Sequence, residues 1–294
     1  MPGGENAGMH DFEILPGDRV PAPELHQAFV EAFADYLIGP FQVPLEQWPG
    51  FLARQAIDLG LSRVARLDGR VAAFAFVAPR TPTRWRLGTM GAVPAARGSG
   101  AAPVLLDDFV RRAQQAGVQI VELEVFAQNE RAARLYAGRG FQVVQSLHGY
   151  ERVAPTEGER PHDATDDVRE VPLDEAFAWI EQASSRIDDL PLQVTPPVLA
   201  ANRAALRALR HGDAQVVYAP GADAAAPVVI HSLIDLDPAQ RDADTLLSAL
   251  VARHPGRTIK VPALQRPDVG GEALDRAGFV RQQLHQHLMR RSAG

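Results

Sequence analysis

The segment from Val93 to Pro103 combines residue types that could bind an anion. It contains Gly98 and Gly100, and glycine lets the backbone approach a ligand that a Cβ atom would keep away. Apolar residues then recur with the spacing of an amphipathic helix, at Leu106, Phe109, Val110 and Ala113. A glycine-bearing loop ahead of a helix directs free backbone N–H groups and the positive end of the helix dipole at one point. The pattern predicts an anion-binding loop, although an ordinary strand-to-helix turn would look the same.

Two common phosphate-binding motifs do not fit this loop. A P-loop ends in Gly-Lys-Ser/Thr, and the only lysine of the chain is Lys260. A dinucleotide-binding fingerprint needs a third glycine at the position of Pro103. Both of these types of nucleotide site are therefore excluded.

A second run of residues follows the predicted helix and contains, without a gap, Leu123, Val125, Asn129, Ala132, Leu135, Tyr136, Gly140 and Phe141. Together with Arg97-Gly98-Ser99-Gly100-Ala101-Ala102, it resembles the GCN5-related N-acetyltransferase (GNAT) family. Members of that family carry the patterns Gln/Arg-x-x-Gly-x-Gly/Ala and Leu-x-Val-x-x-x-Asn-x-x-Ala-x-x-Leu-Tyr-x-x-x-Gly-Phe. The resemblance covers about residues 12 to 153 and implies an α/β fold with a mixed central sheet flanked by helices.

The resemblance implies that acetyl-coenzyme A binds where the fourth and fifth strands separate. Its pyrophosphate would contact the backbone of the glycine loop, at Gly98, Ser99, Gly100, Ala101 and Ala102. The backbone at Ala92 and Val93 would pair with the pantetheine arm, and Arg97 could contact the phosphate on the ribose. Asn129 would be a contact on the cofactor side, with helix capping as the alternative. No His, Asp and Glu cluster has metal-binding spacing, so no metal is predicted.

Transfer of an acyl group to an amine requires two proton movements. An amine of pKa ~10.4 is only about one part in two thousand neutral at pH 7, so its proton must be removed. The leaving thiolate departs faster when it is protonated. Tyr136 stands where GNAT proteins carry this acid, and its alternative role is packing beneath a helix. Glu124, or Glu122 on the same strand face, is the predicted base; the alternative for both carboxylates is an ion pair with a neighbouring arginine.

The elements that position these residues follow from periodicity and turn residues. A short strand at Phe12–Leu15 precedes helices at 23–38 and 45–59, and Asp68-Gly69 joins two strands of a hairpin at 61–67 and 71–78. Strands at 85–93 and 119–126, a helix at 129–139 and two strands at 141–144 and 147–153 complete the first domain.

A segment rich in Pro, Glu, Asp and Thr separates this domain from a second one. We predict a catalytic domain over 1–153 with a loose tail at 1–11, a linker over 154–167 and a second domain over 168–294. Ala273 to Phe279 aligns with Leu135 to Phe141, which indicates a degenerate duplicate without the pyrophosphate loop. Its predicted helices include 173–185, 197–209, 239–253 and 271–277, and its predicted strands are 168–171, 214–218, 228–236 and 258–261.

Composition limits the function classes. With 294 residues, an apolar fraction of 46% and no cysteine, the chain has the composition of a globular protein without disulfides or thiolate chemistry. Its net charge of −6 argues against a nucleic-acid partner, and neither a membrane span nor an export signal is present, so we expect a cytoplasmic protein. The expected acceptor is a small-molecule or peptide amine. A homodimer, an acyl donor longer than acetyl, and a non-catalytic acetyl-CoA sensor or scaffold stay open.

Overall fold

The computed structural model of the chain describes residues 12–154 and 167–293. They divide into two compact units. The first contains the described residues up to Glu124, Arg134–Gln142 and those from Arg290 onward, and the second contains Val125–Ala133 and Val143–Met289. These units are not contiguous in sequence as the predicted domains are, because residues 143–153 belong to the second unit and the C-terminal residues to the first. The predicted domain boundaries stay a prediction. The predicted tail at 1–11 and most of the predicted linker lie outside the described residues.

The first half of the chain has the predicted order of strands and helices. The strands span Glu13–Pro16 (β1), Asp58–Leu67 (β2), Arg70–Thr81 (β3), Arg84–Ala92 (β4), Ile120–Phe126 (β5) and Gln142–Arg152 (β6). The helices span Ala22–Ala32 (α1), Trp48–Arg54 (α2), Ala101–Gln115 (α3) and Glu130–Ala137 (α4). Strands β1 to β5 pair in sequence order, and only β4 and β5 are parallel. The prediction of two separate strands after α4 is wrong, since β6 is one continuous strand.

Local turn chemistry explains the hairpin of β2 and β3. Asp68 and Gly69 have φ angles of 51° and 75°, the left-handed conformation that a tight hairpin turn requires at both central residues. Helices α1 and α2 are both shorter than predicted. Helix α2 cannot continue to residue 59, because Asp58 already pairs with Val77 of β3. The hairpin prediction is confirmed.

An aromatic cluster holds α1 and α2 against the sheet. Phe29 of α1 packs with ring centroids 5.0 Å from both Trp48 and Phe51 of α2 and 6.0 Å from Phe74 of β3. Phe74 in turn stacks on Phe76 at 4.6 Å. All five rings are buried, so they fix the position of the segment that joins the two helices.

The second half repeats this order of elements. Its strands span Arg169–Glu170 (β7), Arg207–His211 (β8), Ala214–Ala219 (β9), Val228–Asp235 (β10), Ile259–Gln265 (β11) and Val280–Ser292 (β12). Its helices span Leu173–Ser184 (α5), Pro196–Leu199 (α6), Arg241–Arg253 (α7) and Gly271–Arg276 (α8). In the second unit the strands are ordered β12–β6–β11–β10–β9–β8–β7.

The predicted helix over 197–209 is wrong. Helix α6 is a single turn, a 3-10 segment follows to Ala205, and β8 then begins at Arg207. Ala208 and Leu209 are fully buried in the second unit, so burial in the sheet overrides the helical preference of this alanine-rich segment. The antiparallel strands β8 and β9 form a hairpin in the second half, as β2 and β3 do in the first. Within the described residues, no helix combines the length and the apolar character needed to cross a bilayer.

Candidate active site

The glycine loop between β4 and α3 has the geometry of an anion-binding turn. Pro94–Ala96 forms one 3-10 turn, and Gly98 and Gly100 then take φ angles of 86° and 95°. A Cβ atom on either glycine would meet nothing within 4 Å, so it is the backbone conformation and not crowding that requires glycine here. Gly100 directly precedes the fifteen-residue helix α3, whose predicted apolar stripe is buried.

Several backbone donors of this loop are unused. In the described part of the chain, the N–H groups of Gly98, Gly100 and Ala102 have no hydrogen-bond acceptor. The Ser99 hydroxyl donates to Ala96 O at 2.7 Å and accepts only a long bond, 3.4 Å, from the N–H of Ala101. Unpaired N–H groups at the N-terminus of a helix favour an anion through both hydrogen bonding and the helix dipole.

The edge of β4 beside this loop is open. The parallel pairing of β4 with β5 ends at Leu87 and Leu123, whereas β4 continues to pair with β3 as far as Ala92. The Val93 N–H donates to Ala72 O, and Val93 O accepts from Ala96. Because bonding alternates along an antiparallel pair, the backbone groups of Ala92 and Met90 face away from β3.

This pattern bears on the two predicted backbone contacts of β4. The backbone of Ala92 faces away from β3, whereas both backbone groups of Val93 are already used within the protein. Met90, which the sequence did not single out, also faces away, because alternation along β4 depends on its pairing with β3. Contacts of Ala92 and Val93 with a pantetheine arm stay predictions.

The Arg97 side chain is bonded to the end of α1 and to Asp35 just after it. Its guanidinium donates to both carboxylate oxygens of Asp35, at 2.5 and 2.6 Å, and to Ala32 O at 3.1 Å. The pair lowers the pKa of Asp35 and raises the pKa of Arg97. The predicted contact of Arg97 with a ribose phosphate is therefore not preformed, because its hydrogen-bonding edge is occupied.

Tyr136 is a buried phenol on α4. Its ring packs edge-on against Phe141, with centroids 6.1 Å apart, and the residue is 7% exposed. Burial raises the pKa of Tyr136, and the negative charge of an ionised Tyr36 would raise it further. A phenol with a raised pKa keeps its proton at neutral pH, which is the state a general acid needs.

Glu124 is held in a buried ion pair. Its carboxylate accepts from Arg86 Nε at 2.7 Å and lies 2.6 Å from Arg86 Nη2, with both side chains at most 3% exposed. The ion-pair alternative is therefore what the structure contains, and a role of Glu124 as a base stays a prediction. Glu122 is also paired, with Arg80 at 2.9 Å, while burial raises its pKa.

A Glu124→Gln variant tests the importance of this pair for stability. We expect the free energy of unfolding to fall by about 3–5 kcal/mol, because breaking a buried pair leaves one charge uncompensated. Urea denaturation would measure it. The matched double variant Arg86→Met/Glu124→Leu should recover most of the loss, since it removes both charges. A single variant as stable as the wild type would show that Arg86 is solvated.

Asn129 caps a helix. Its side-chain oxygen accepts from the N–H of Ala132 at 3.2 Å, at the beginning of α4. This is the alternative role considered for it, and a cofactor contact for Asn129 stays a prediction.

Gly88 and Gly91 of β4 pack closely against neighbouring side chains. A Cβ atom at Gly88 would lie 2.6 Å from Ile57, and one at Gly91 would lie 2.8 Å from Phe74. These glycines therefore accommodate neighbouring side chains of the protein. A group of three or more His, Asp or Glu residues that could hold a metal ion is absent from the described residues.

The second half closes the corresponding position with its own residues. Helix α7 begins after Gln240, whose φ of 55° matches the left-handed turn before α3. The Asp235 carboxylate accepts from the N–H groups of Asp237 and Ala243, both at 2.8 Å. The buried Gln240 amide bonds to Pro267 O and to the N–H of Ala273. The carboxylate of Asp235 thus accepts an N–H group in the first turn of α7, whereas the unused N–H groups at the start of α3 have no acceptor among the described residues.

Comparison with known proteins gives a consistent result. The model of the acetyltransferase (GNAT) family matches residues 23–141. An uncharacterised N-acetyltransferase of Mycobacterium tuberculosis is 31% identical over 128 residues, which are 42% of this chain and 70% of that protein.

Solved structures share the fold over nearly the whole chain. A GCN5-related N-acetyltransferase of Sphaerobacter thermophilus has a TM-score of 0.62 at 17% identity, covering 96% of both chains. Another from Anabaena variabilis has a TM-score of 0.67 at 15% identity, covering 97% of this chain and 73% of that one.

Proposed function

This chain belongs to the acetyltransferase (GNAT) family, and we propose that it transfers an acetyl group from acetyl-CoA directly to an amine. The observation that carries the proposal is the loop with three unused N–H donors at the start of α3, beside the open edge of β4. The donors of Gly98, Gly100 and Ala102 would bind the pyrophosphate, and the backbone of Ala92 would pair with the pantetheine arm.

The reaction would proceed by direct attack. The neutral amine nitrogen forms a bond with the thioester carbonyl carbon, and the carbon–sulfur bond then breaks. Tyr136 would protonate the leaving sulfur, since its phenol carries a proton throughout the neutral pH range and burial further disfavours the ionised form. The proton that the amine loses would go to solvent or to a water in the cleft, since Glu124 is engaged by Arg86.

We also propose that the second half is a degenerate copy of the first. The repeated order of elements supports this, and so does the left-handed residue before α7. A phosphate at the start of α7 would meet the Asp235 carboxylate, which already accepts the N–H of Ala243 in the first turn of α7 and the N–H of Asp237 before it. The second half would then contribute to the architecture without binding acetyl-CoA.

Calorimetry and thiol release test these proposals together. Acetyl-CoA should bind at one site per chain, and a panel of small amines, amino acids and peptides should contain acceptors that release free thiol. Two sites per chain would contradict the degenerate second half. Binding without thiol release from any amine would instead favour a sensor.

A further inference from the structure

The ion pair between Arg97 and Asp35 links two segments that are 62 residues apart in sequence. Arg97 directly precedes the glycine loop, and Asp35 lies just after α1, whose last carbonyl, Ala32 O, also accepts from Arg97. A cation at the C-terminal end of a helix interacts favourably with the helix dipole. The guanidinium therefore joins the glycine loop to the end of α1 at three acceptor atoms.

This link is suited to positioning and not to stabilisation. Arg97 is 32% exposed at its side chain and Asp35 is 60% exposed, so water competes for both groups. Exposed pairs of this kind contribute little to the free energy of folding. What the bidentate geometry does provide is a fixed orientation of one segment against the other.

The segment that follows Asp35 packs back on the end of α1. Tyr36 is the next residue, and its ring lies edge-on against Phe33, with centroids 4.9 Å apart. The same short segment returns to α1 through a bond from the N–H of Phe41 to Phe33 O, and it exposes Leu37 and Ile38. A displacement of Asp35 would therefore move Tyr36 and the exposed apolar side chains that follow it.

We propose that Arg97 and Asp35 are positioning residues that couple the donor-binding loop to the segment 33–44. Resting on the proposed function, this inference assigns the Arg97 side chain to the link and not to a phosphate of the donor. Occupation of the glycine loop would then order the segment that carries Tyr36, Leu37 and Ile38.

Hydrogen exchange with and without acetyl-CoA tests the coupling. In the wild type, acetyl-CoA should slow exchange both in the glycine loop and in residues 33–44. In Asp35→Asn and Arg97→Gln variants, acetyl-CoA should slow exchange in the loop alone. Residues 33–44 of these variants should exchange about threefold faster than in the bound wild type, which matches the small free energy of one exposed charge pair. Asp174→Asn is the matched control, because Asp174 forms an exposed pair with Arg203 at 2.6 Å in the second unit. It should behave as the wild type.

Affinities for coenzyme A and 3′-dephospho-coenzyme A separate the two roles of Arg97. Under the proposal, Arg97→Gln lowers both affinities equally, within about threefold, as loss of an exposed contact would. Loss of affinity for coenzyme A alone, or tighter binding by Asp35→Asn, would show that Arg97 is a phosphate ligand and would overturn the coupling. Equal protection of residues 33–44 in wild type and Asp35→Asn would overturn it too. If acetyl-CoA protects no segment of the wild type, the proposed function itself fails.

Discussion

A Gly100→Glu variant is expected to bind acetyl-CoA about a thousandfold more weakly than the wild type, because a carboxylate about 4 Å from a phosphate costs roughly 4 kcal/mol near a protein surface. The glutamate side chain would enter the open space above the loop, where the structure places no protein atom within 4 Å of the new Cβ. Its charge would compete for the unused N–H groups at the start of α3. Isothermal calorimetry would measure the loss.

The φ angle of Gly100 adds a second effect that a control must separate. At 95° a side chain strains the backbone, which costs of order 1–3 kcal/mol. Gly117 is the matched control, because it lies after the other end of α3 with a φ of 74° and open space around its Cβ position. Gly117→Glu should keep its affinity for acetyl-CoA. If both variants lose binding alike, the cause is strain on α3 and the anion site at Gly100 is wrong.

Local features of the sequence were sufficient to predict this loop and the hairpin. Two adjacent residues with positive φ determine the turn at Asp68-Gly69, and two glycines before an amphipathic stripe determine the start of α3. Each depends on neighbours within a few residues. Those interactions are the ones that residue type and spacing encode directly.

Features that depend on strand register could not be predicted in the same way. Glu124 meets Arg86 only because β4 and β5 pair with Arg86 opposite Glu122, and the sequence left an ion pair and a base equally open. Arg97 meets Asp35 across 62 residues, and no local pattern signals that contact. The continuous β6 and the strand β8 were missed for a related reason, since their burial depends on neighbouring strands in the sheet.

The two halves show how similar elements can differ in the bonding of a helix start. Both have a left-handed residue before a helix that follows a strand, at Gly100 and at Gln240. In the first half the three unused loop N–H groups have no acceptor within the described residues, whereas in the second half Asp235 accepts the N–H of Ala243 in the first turn of α7. The two turns therefore differ in whether a side chain of the protein already occupies the donors.

Tyr136→Phe is expected to lower the rate of acetyl transfer by about 10²–10⁴-fold, the usual contribution of a positioned acid. Binding of acetyl-CoA should be nearly unchanged, because the ring and its contact with Phe141 are retained. Tyr218→Phe is the matched control, since Tyr218 is also buried with a raised pKa but belongs to the second unit. It should transfer acetyl groups at the wild-type rate.

The raised pKa of Tyr136 also predicts how the transfer rate depends on pH. Because burial raises the pKa of Tyr136, the phenol keeps its proton as the pH rises through the neutral range, and loss of this proton cannot limit the rate there. The wild-type rate should therefore rise with pH as the amine loses its proton, without a decline between about pH 7 and pH 9. Tyr136→Phe should follow a parallel, lower profile. A variant that transfers acetyl groups at the wild-type rate would show that Tyr136 only packs against Phe141 and that the thiolate leaves unassisted.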